Sequence, residues 1–357
     1  MSGTWGNRIK LTIFGESHGK AIGVILDGLK PGTPIDRNYI DKELQRRSPG
    51  RSPLSTSRIE KDDYELLSGC FNEKATGTPL CAVIYNTDVK SEDYKKLRYL
   101  PRPSHGDYPG YIKYKGFNDY RGGGHFSGRL TAPLVLAGAI CKKVLGDMGI
   151  TIGSHIKSIA HIQDGDFDKA AINADMLNKL NTMSFPLLST DKESVMKKIM
   201  LESKNSDDSV GGTVETAAVG IKPGIGEPFF DSVESTLSHI IFSIPGVKGL
   251  EFGAGFEISK MKGSQANDEY FIENNRIKTY SNNNGGIAGG LTTGMPLIFR
   301  TAIRPTPSIG KKQKTIDMEN MANTDIEIIG RHDSCIVPRA LPVIEAVTAI
   351  ALLDLMI

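Results

Sequence analysis

The chain has 357 residues, 39% of them hydrophobic and 24% charged, with a net charge of +2. That balance describes a soluble, globular chain with enough apolar residues for a substantial core, and its length admits one large domain or two smaller ones. A near-neutral charge without a long basic run disfavours a nucleic-acid partner, and no stretch is long and apolar enough to span a bilayer.

Arg8 to Phe14 alternates like a strand and runs into the tight polar loop Gly15 to Gly19; Ile22 to Leu26 is a second strand. Leu29-Lys-Pro-Gly32 then leads to Asp36, a good cap for a helix reaching Arg47. Strands are expected at Pro79–Tyr85, Ile150–Ile159, Gly249–Phe256 and Met295–Ile303. The longest helix starts near Phe126 or Ser127 and runs to about Asp147, with shorter ones at Lys169–Leu180 and Lys192–Ser203. Val214 to Val219 alternates, Ile221-Lys-Pro-Gly224 follows, and Asp231 would cap a helix to about Phe242. This repeats the grammar of residues 22–47 and suggests two related β/α halves sharing one core. Asn282–Gly290 reads as a loop, and Ala340 to Ile357 as a buried helix. Strands outnumber helices without strict alternation, so the expected class is α+β, with residues 1–357 as one domain. No secretory leader is expected at Met1 to Asn7. The four cysteines show no metal spacing or disulfide pattern, which fits reduced thiols in a cytoplasmic protein.

Arginine is unevenly placed. All fifteen lie outside residues 130–275, while thirteen of the twenty-eight lysines lie inside. An even scatter would put about six arginines there. Arginine is the side chain of bidentate contacts to phosphate and carboxylate, so the outer thirds of the chain are expected to converge on a polyanionic ligand.

Four segments carry candidate chemistry. Gly15-Glu-Ser-His-Gly19 exposes Ser17 and His18 at a strand end; it is too short for a phosphate-binding P-loop, and the plain alternative is a turn with a surface histidine. Arg46-Arg47-Ser-Pro-Gly-Arg51 is an anion site or a solvated loop. Residues 102–129 hold seven glycines, six Tyr/Phe rings, His105, His125 and three arginines, a mixture suited to a flat anionic ring-bearing ligand or to stacked bases. Gly122-Gly-Gly124, ahead of a helix, can offer backbone N–H groups to a phosphate. Gly330-Arg-His-Asp333 brings acid, base and guanidinium together. Two further loops, Gly285 to Gly290 and Arg304 to Ser308, add close-approach glycines and hydroxyls, whereas His155, His161 and His239 read as structural or surface groups. Histidine acid–base chemistry beside phosphate-directed arginines suits a lyase or transferase acting on a phosphorylated acid.

Taken together, these segments resemble the chorismate synthase family across essentially the whole chain. The matching stretches are Phe14-Gly-Glu-Ser-His-Gly19, Arg102-Pro-Ser-His-Gly-Asp107, Asp119-Tyr-Arg-Gly-Gly-Gly124, Gly285-Gly-Ile-Ala-Gly-Gly290 and Gly330-Arg-His-Asp333 with Pro338-Arg339. The resemblance implies a large β-α-β sandwich domain, a homotetramer, and a 1,4-anti elimination of phosphate from 5-enolpyruvylshikimate 3-phosphate that requires reduced FMN. It implies that His18 protonates the leaving phosphate, that His105 stabilises the reduced flavin, and that Asp333 acts in hydrogen removal. Ser17, Arg47, Arg102, Ser127, Arg129 and Arg331 would hold substrate. His125, Phe126, Ser127, Gly289, Arg304, Pro305, Thr306, Pro307, Ser308 and Arg331 would line the cofactor.

No metal is implied. NADPH enters only as a source of reducing equivalents, through this chain or a separate flavin reductase; the chain lacks a dinucleotide fingerprint. Against the family's usual pattern, His125-Phe126 replaces Arg-Ser, Gly128 replaces an alanine, and Ser104 and Gly106 flank His105 where Gly and Ala are common. Pro53 and Ser334 stand where arginine and proline are usual. An RNA-binding module built on residues 102–129, and a flavin-binding relative without turnover, are the rival readings.

Overall fold

The computed structural model describes residues 3–49, 62–87, 98–328 and 333–357. The first part of the chain builds an antiparallel sheet from β1 (Thr4–Trp5), β2 (Lys10–Gly15) and β3 (Ala21–Asp27), followed by α1 (Arg37–Arg47), β4 (Tyr64–Ser68), a small hairpin β5–β6 (Cys70–Phe71 and Lys74–Ala75) and β7 (Leu80–Tyr85). The strands lie in the order β1-β2-β3-β7-β4. A short helix α2 (Asp107–Lys113) and the long α3 (Thr131–Asp147) follow.

The second part starts with β8 (Thr151–Ile159), β9 (Ile162–Gln163), α4 (Ala174–Thr182) and α5 (Glu193–Asn205). It continues with β10 (Gly212–Val219), α6 (Val233–Ile241), β11 (Val247–Phe252) and α7 (Gly263–Ala266). Hairpins β12–β13 (Tyr270–Glu273, Arg276–Thr279) and β14–β15 (Ile287–Ala288, Leu291–Thr292) precede β16 (Leu297–Ile303), hairpin β17–β18 (Gln313–Asp317, Ala322–Ile326) and α8 (Val337–Met356).

The second sheet runs β9-β8-β10-β16-β11, all antiparallel. Its order repeats that of the first, with β8, β10, β11 and β16 in the places of β2, β3, β4 and β7. In each half the second strand leads through a Lys-Pro-Gly turn to a helix, α1 or α6, and the fourth strand leads to a long helix, α3 or α8. The expected kinship of the halves is thus borne out by topology.

One core joins them. α3 is buried from Thr131 to Lys142 and α8 almost continuously from Ala340 to Asp354, so both helices are covered all round and lie between the sheets. This is an α+β fold with a β-α-β sandwich. The two central helices cross closely at Gly138, where an added Cβ would stand 2.3 Å from the Ala346 Cβ. Gly138→Ala is expected to cost about 1–3 kcal/mol through overpacking, read as a lowered urea midpoint at unchanged slope.

Several boundaries differ from the sequence expectation. α3 begins at Thr131 because Ser127 caps a separate 3-10 turn, Gly128–Leu130. Ser232, not Asp231, caps α6 by accepting from the Ser235 N–H. β11 stops at Phe252, since Gly253 and Gly255 take positive φ and a 3-10 turn follows. Among the described residues no helix is long and apolar enough to cross a membrane, and all four cysteines are unpaired.

Candidate active site

Two arginines of the first half, Arg47 and Arg129, meet around one carboxylate, Asp62. α1 is capped at Asp36 and ends with Arg46 and Arg47, cations that suit the negative end of its dipole. Arg47 turns inward, fully buried, and donates from Nη2 to Asp62 at 2.5 Å. Arg129, carried on the turn before α3, bonds the other oxygen of Asp62. Burial alone would raise Asp62, but the two guanidiniums outweigh it and hold the carboxyl below its ordinary range. Burial pushes the Arg47 guanidinium down, and Arg339 and Arg129 beside it act in the same direction.

The histidines come from two loops that share a run of glycines. Ser17 and His18 lie between β2 and β3, pinned by a hydrogen bond from the Ser17 N–H to the Gly124 carbonyl at 3.1 Å. Gly122, Gly123 and Gly124 have φ of 59°, 84° and 53°, conformations that side chains avoid. A Cβ on Gly122 would lie 2.3 Å from the His18 ring, and one on Gly123 would lie 3.1 Å from the His105 ring. The two imidazoles are therefore packed against consecutive residues of one strap. The triplet was expected to offer N–H groups to a phosphate at a helix start. It takes left-handed, non-helical backbone ahead of α3 and brings the strap close to both rings.

His105 belongs to the turn before α2, where Arg102 and Asp107 also converge. Asp333 lies on the far side, before α8, bonded to Arg339; Arg339 in turn donates from Nε to the Arg47 carbonyl at 2.9 Å. Arg304 follows β16 and donates to the Ser104 carbonyl at 2.7 Å, tying the two crossover segments together. Between these groups opens a cleft of about 640 Å³.

Thirteen of the residues singled out in the sequence line that cleft: Arg47, Arg102, His105, His125, Phe126, Ser127, Arg129, the run Arg304 to Ser308, and Asp333. Ser17 and His18 stand behind Gly122.

The comparisons with known proteins agree on one kinship. A profile of the chorismate synthase family matches residues 9–357. A chorismate synthase from Thermococcus gammatolerans is 43% identical over 352 residues, covering 98% of this chain and 96% of that one. One from Methanocaldococcus jannaschii is 44% identical over 370 residues, covering 100% and 97%. A crystal structure of a chorismate synthase superposes with a TM-score of 0.77 at 30% identity, covering 99% of this chain and 92% of the other. The chain belongs to the chorismate synthase family.

Besides Ser17 and His18, two of the residues that the resemblance assigns to this family's site are not seen in the cleft. Gly289 does not line the cleft; it is an exposed turn residue of the β14–β15 hairpin at φ 62°, with nothing within 4 Å of an added Cβ. Gly285, Gly286 and Gly290 of the same loop are close-approach glycines: added Cβ atoms would stand 2.5 Å from the Gly253 nitrogen, 2.5 Å from the Pro296 carbonyl oxygen and 2.9 Å from the Ser232 Cβ. Arg331, with Gly330 and His332, lies outside the described residues, as do Arg51 and Pro53. Of the six rings in residues 102–129, only Phe126 lines the cleft; Tyr111 packs on Tyr99 and Tyr114 on Phe126. The stacked-base reading of that segment loses its platform.

The unusual Phe126 explains the unusual Gly106. Added Cβ atoms on Gly106 and Gly110, four residues apart along α2, would stand 3.0 and 2.6 Å from the Phe126 ring. The ring lies on a seat cut from two glycines, and an alanine at 106 would crowd it. His125 is anchored through Nδ1 to the Gly15 carbonyl at 2.8 Å.

Sequence reasoning missed four parts of the site. These are Asp62, Asp107, Arg339 and the wall from Phe242 to Lys248 after α6. Asp107 and Arg339 stood inside matched motifs but carried no assigned role. The structural reading of His155 holds: it is fully buried between Asp164 and Glu215. Burial would lower this imidazole, but the two carboxylates outweigh it and raise it.

Proposed function

We propose that this cleft takes 5-enolpyruvylshikimate 3-phosphate beside reduced FMN, with His18, His105 and Asp333 as the acting groups. The family's reaction is the elimination of phosphate from that substrate to give chorismate, and the chain is a phosphate-eliminating lyase. The observation that carries the site assignment is the shared glycine strap: His105 packs on Gly123 and lines the arginine-walled cleft, and His18 packs on Gly122, which lines it too.

The residues suit both ligands. Arg47 Nε, Ser17 Oγ and Thr306 Oγ1 are buried without a hydrogen-bond partner, as donors awaiting a bound acceptor would be. Ile244, Pro245 and Val247 give one wall an apolar face suited to a planar ring, opposite guanidiniums suited to phosphate and carboxylate. Arg304 and the run to Ser308 would hold the cofactor; Arg47, Arg102 and Arg129 would hold the substrate anions.

The elimination breaks the C3–O and C6–H bonds, and the C–H electron pair enters the ring's new double bond. His18 would give its proton to the departing phosphate. Asp333, oriented by Arg339, would take part in removing the C6 proton. His105 would stabilise or protonate the reduced cofactor. Reduced FMN, when bound, supplies electron density that favours expulsion of phosphate.

By family kinship we take the working particle to be a cytoplasmic homotetramer of single-domain chains. Reducing equivalents would reach it from NADPH directly or through a separate flavin reductase.

The test is an anaerobic assay. With dithionite-reduced FMN the protein should form chorismate, with oxidised FMN it should not, and His105→Ala should lower turnover by about 10²-fold or more. Binding of flavin and substrate without turnover would instead identify an inactive relative. Salt-sensitive RNA binding indifferent to FMN would overturn the reading altogether.

A further inference from the structure

Asp107 is partly buried at the start of α2 and takes four hydrogen bonds. Its Oδ2 accepts from the Arg102 backbone N–H at 3.0 Å and from Arg102 Nε at 2.7 Å. Its Oδ1 accepts from Arg102 Nη2 at 2.8 Å and faces His105 Nδ1 at 2.7 Å. Arg102 Nη2 also lies 3.1 Å from the same imidazole nitrogen.

A proton on Nδ1 is what the shortest of these contacts requires, and the longer approach of Arg102 Nη2 is then a close contact rather than a hydrogen bond. Were Nδ1 bare and accepting from Arg102, its lone pair would face an ionised carboxylate oxygen at 2.7 Å with no proton between them. With the proton on Nδ1, the shortest contact becomes a charge-assisted hydrogen bond, and Arg102 keeps its two side-chain bonds to Asp107. Burial would raise Asp107, but the hydrogen bonds from Arg102 and His105 outweigh it and hold its carboxyl well below the ordinary range. It stays ionised and takes no proton from the ring.

The turn is built to hold this geometry. The His105 N–H donates to the Arg102 carbonyl at 3.1 Å, and Ser104 between them sits at φ 59°. A serine takes that conformation only where its surroundings hold it there. Arg102 Nη1 reaches Ser308 at 3.2 Å, so the triad is also fixed to the segment after β16. With Nδ1 tied to Asp107, Nε2 is the nitrogen left for Gly123 and the cleft.

We propose that Asp107 is the positioning residue for His105: it fixes the imidazole as the Nδ1–H tautomer and presents Nε2 to the ligand. The proposal deepens the functional reading above and rests on His105 taking part in the reaction. A His105 whose Nδ1 is occupied can exchange a proton with the ligand only through Nε2, in one direction and at one place.

The experiment uses full-length protein labelled with 15N-histidine, with the His105 resonances assigned by comparison with His105→Gln. The wild type should show His105 protonated at Nδ1, and Asp107→Asn, which offers an amide donor in place of the acceptor, should move the proton to Nε2. In the same variant kcat with reduced FMN should fall by about 10²–10⁴-fold while KM changes by less than about tenfold. Asp107→Glu should recover part of the rate and keep the Nδ1–H form, and Arg102→Lys should raise KM without changing the tautomer.

An Asn variant that keeps the Nδ1–H form, or that turns over within about threefold of wild type, overturns the proposal. Should the Asn variant not fold, the Glu variant decides in its place: an Nε2–H ring there overturns it. If His105→Ala turns over at the wild-type rate, the functional reading fails, whatever the tautomer measurement shows.

Discussion

Replacing Gly122 with alanine is expected to cut turnover by about 10²-fold or more, an effect as large as removal of a general acid. The added Cβ would stand 2.3 Å from His18 Cδ2, 2.5 Å from its Nε2 and 3.0 Å from Ser17 Oγ. Neither side of that contact can yield cheaply. The Ser17 backbone is held to Gly124, and Gly124 is wedged so closely that its own Cβ would fall 1.9 Å from the Asp119 carbonyl. Gly122 sits at φ 59°, so alanine also brings backbone strain of about 1–3 kcal/mol.

The imidazole should therefore be the part that moves, leaving the arginines where they are. The expected signature is a collapse of kcat with a modest change in KM, close to what His18→Ala gives. The effects of Gly122→Ala and His18→Ala should not add, since both remove the same group. Gly146→Ala, on an exposed turn of α3 with nothing within 4 Å, is the control and should leave kinetics unchanged. Steady-state rates under anaerobic conditions, with a thermal melt on each variant, decide the matter. A Gly122→Ala enzyme within about threefold of wild type would detach His18 from the reaction.

The parts of the fold legible in the sequence are those with a local chemical mark. α1 spans the expected residues because Asp36 is a good cap and accepts from Tyr39 as caps do. The repeat of strand, Lys-Pro-Gly turn and helix was visible because each half needs the same turn chemistry to reach the same helix. α2 was not legible: Pro109 and Gly110 fall in its seven residues, and a segment that short forms only because Phe126 and the Arg102 turn hold it.

The site divides the same way. Arginines and histidines set among glycines announce themselves, which is why thirteen expected residues line one cleft. Asp62, Asp107 and Arg339 act by touching another residue of the site, and no local pattern marks a carboxylate that will meet two guanidiniums. The Phe242–Lys248 wall reads as an ordinary apolar helix end.

Its place becomes intelligible only from the repeat, because it is the second-half counterpart of the segment after α1. The crossovers into α3 and α8 are likewise counterparts, and all four line the cleft. The site thus straddles the junction of the halves. The end of α1 and the turn before α3 bring Arg47 and Arg129, while the segment after α6 brings Phe242, Ile244 and Pro245. A cleft between cationic and apolar walls is what a phosphorylated acid beside a planar ring requires.

The largest expected loss of stability belongs to Glu345, at the middle of α8. Its carboxylate is wholly buried and accepts from Arg46 Nη1 at 2.6 Å, Arg46 Nη2 at 2.9 Å and Lys142 Nζ at 2.6 Å. Glu43 shares both cations, so two carboxylates face two cations where α1, α3 and α8 meet. Removing one partner leaves uncompensated buried charge, and Glu345→Gln should cost about 3–5 kcal/mol at neutral pH. Because Arg46 precedes Arg47 in the same helical turn, the variant should also weaken substrate binding, raising KM more than it lowers kcat.

The pH dependence has a definite sign. Burial would raise this carboxyl, but Arg46 and Lys142 outweigh it and bring it from an ordinary value of 4.5 down to about 2. A group whose folded pKa lies below its unfolded one stabilises fully above the unfolded value and loses that contribution as pH falls through the folded one. The wild type should therefore lose its advantage over Glu345→Gln between about pH 4.5 and pH 2. Urea midpoints of the two proteins at pH 7 and at successively lower pH measure this directly. Equal midpoints at pH 7, or a gap that widens on acidification, would show that the buried network does not hold α1 to the central helices.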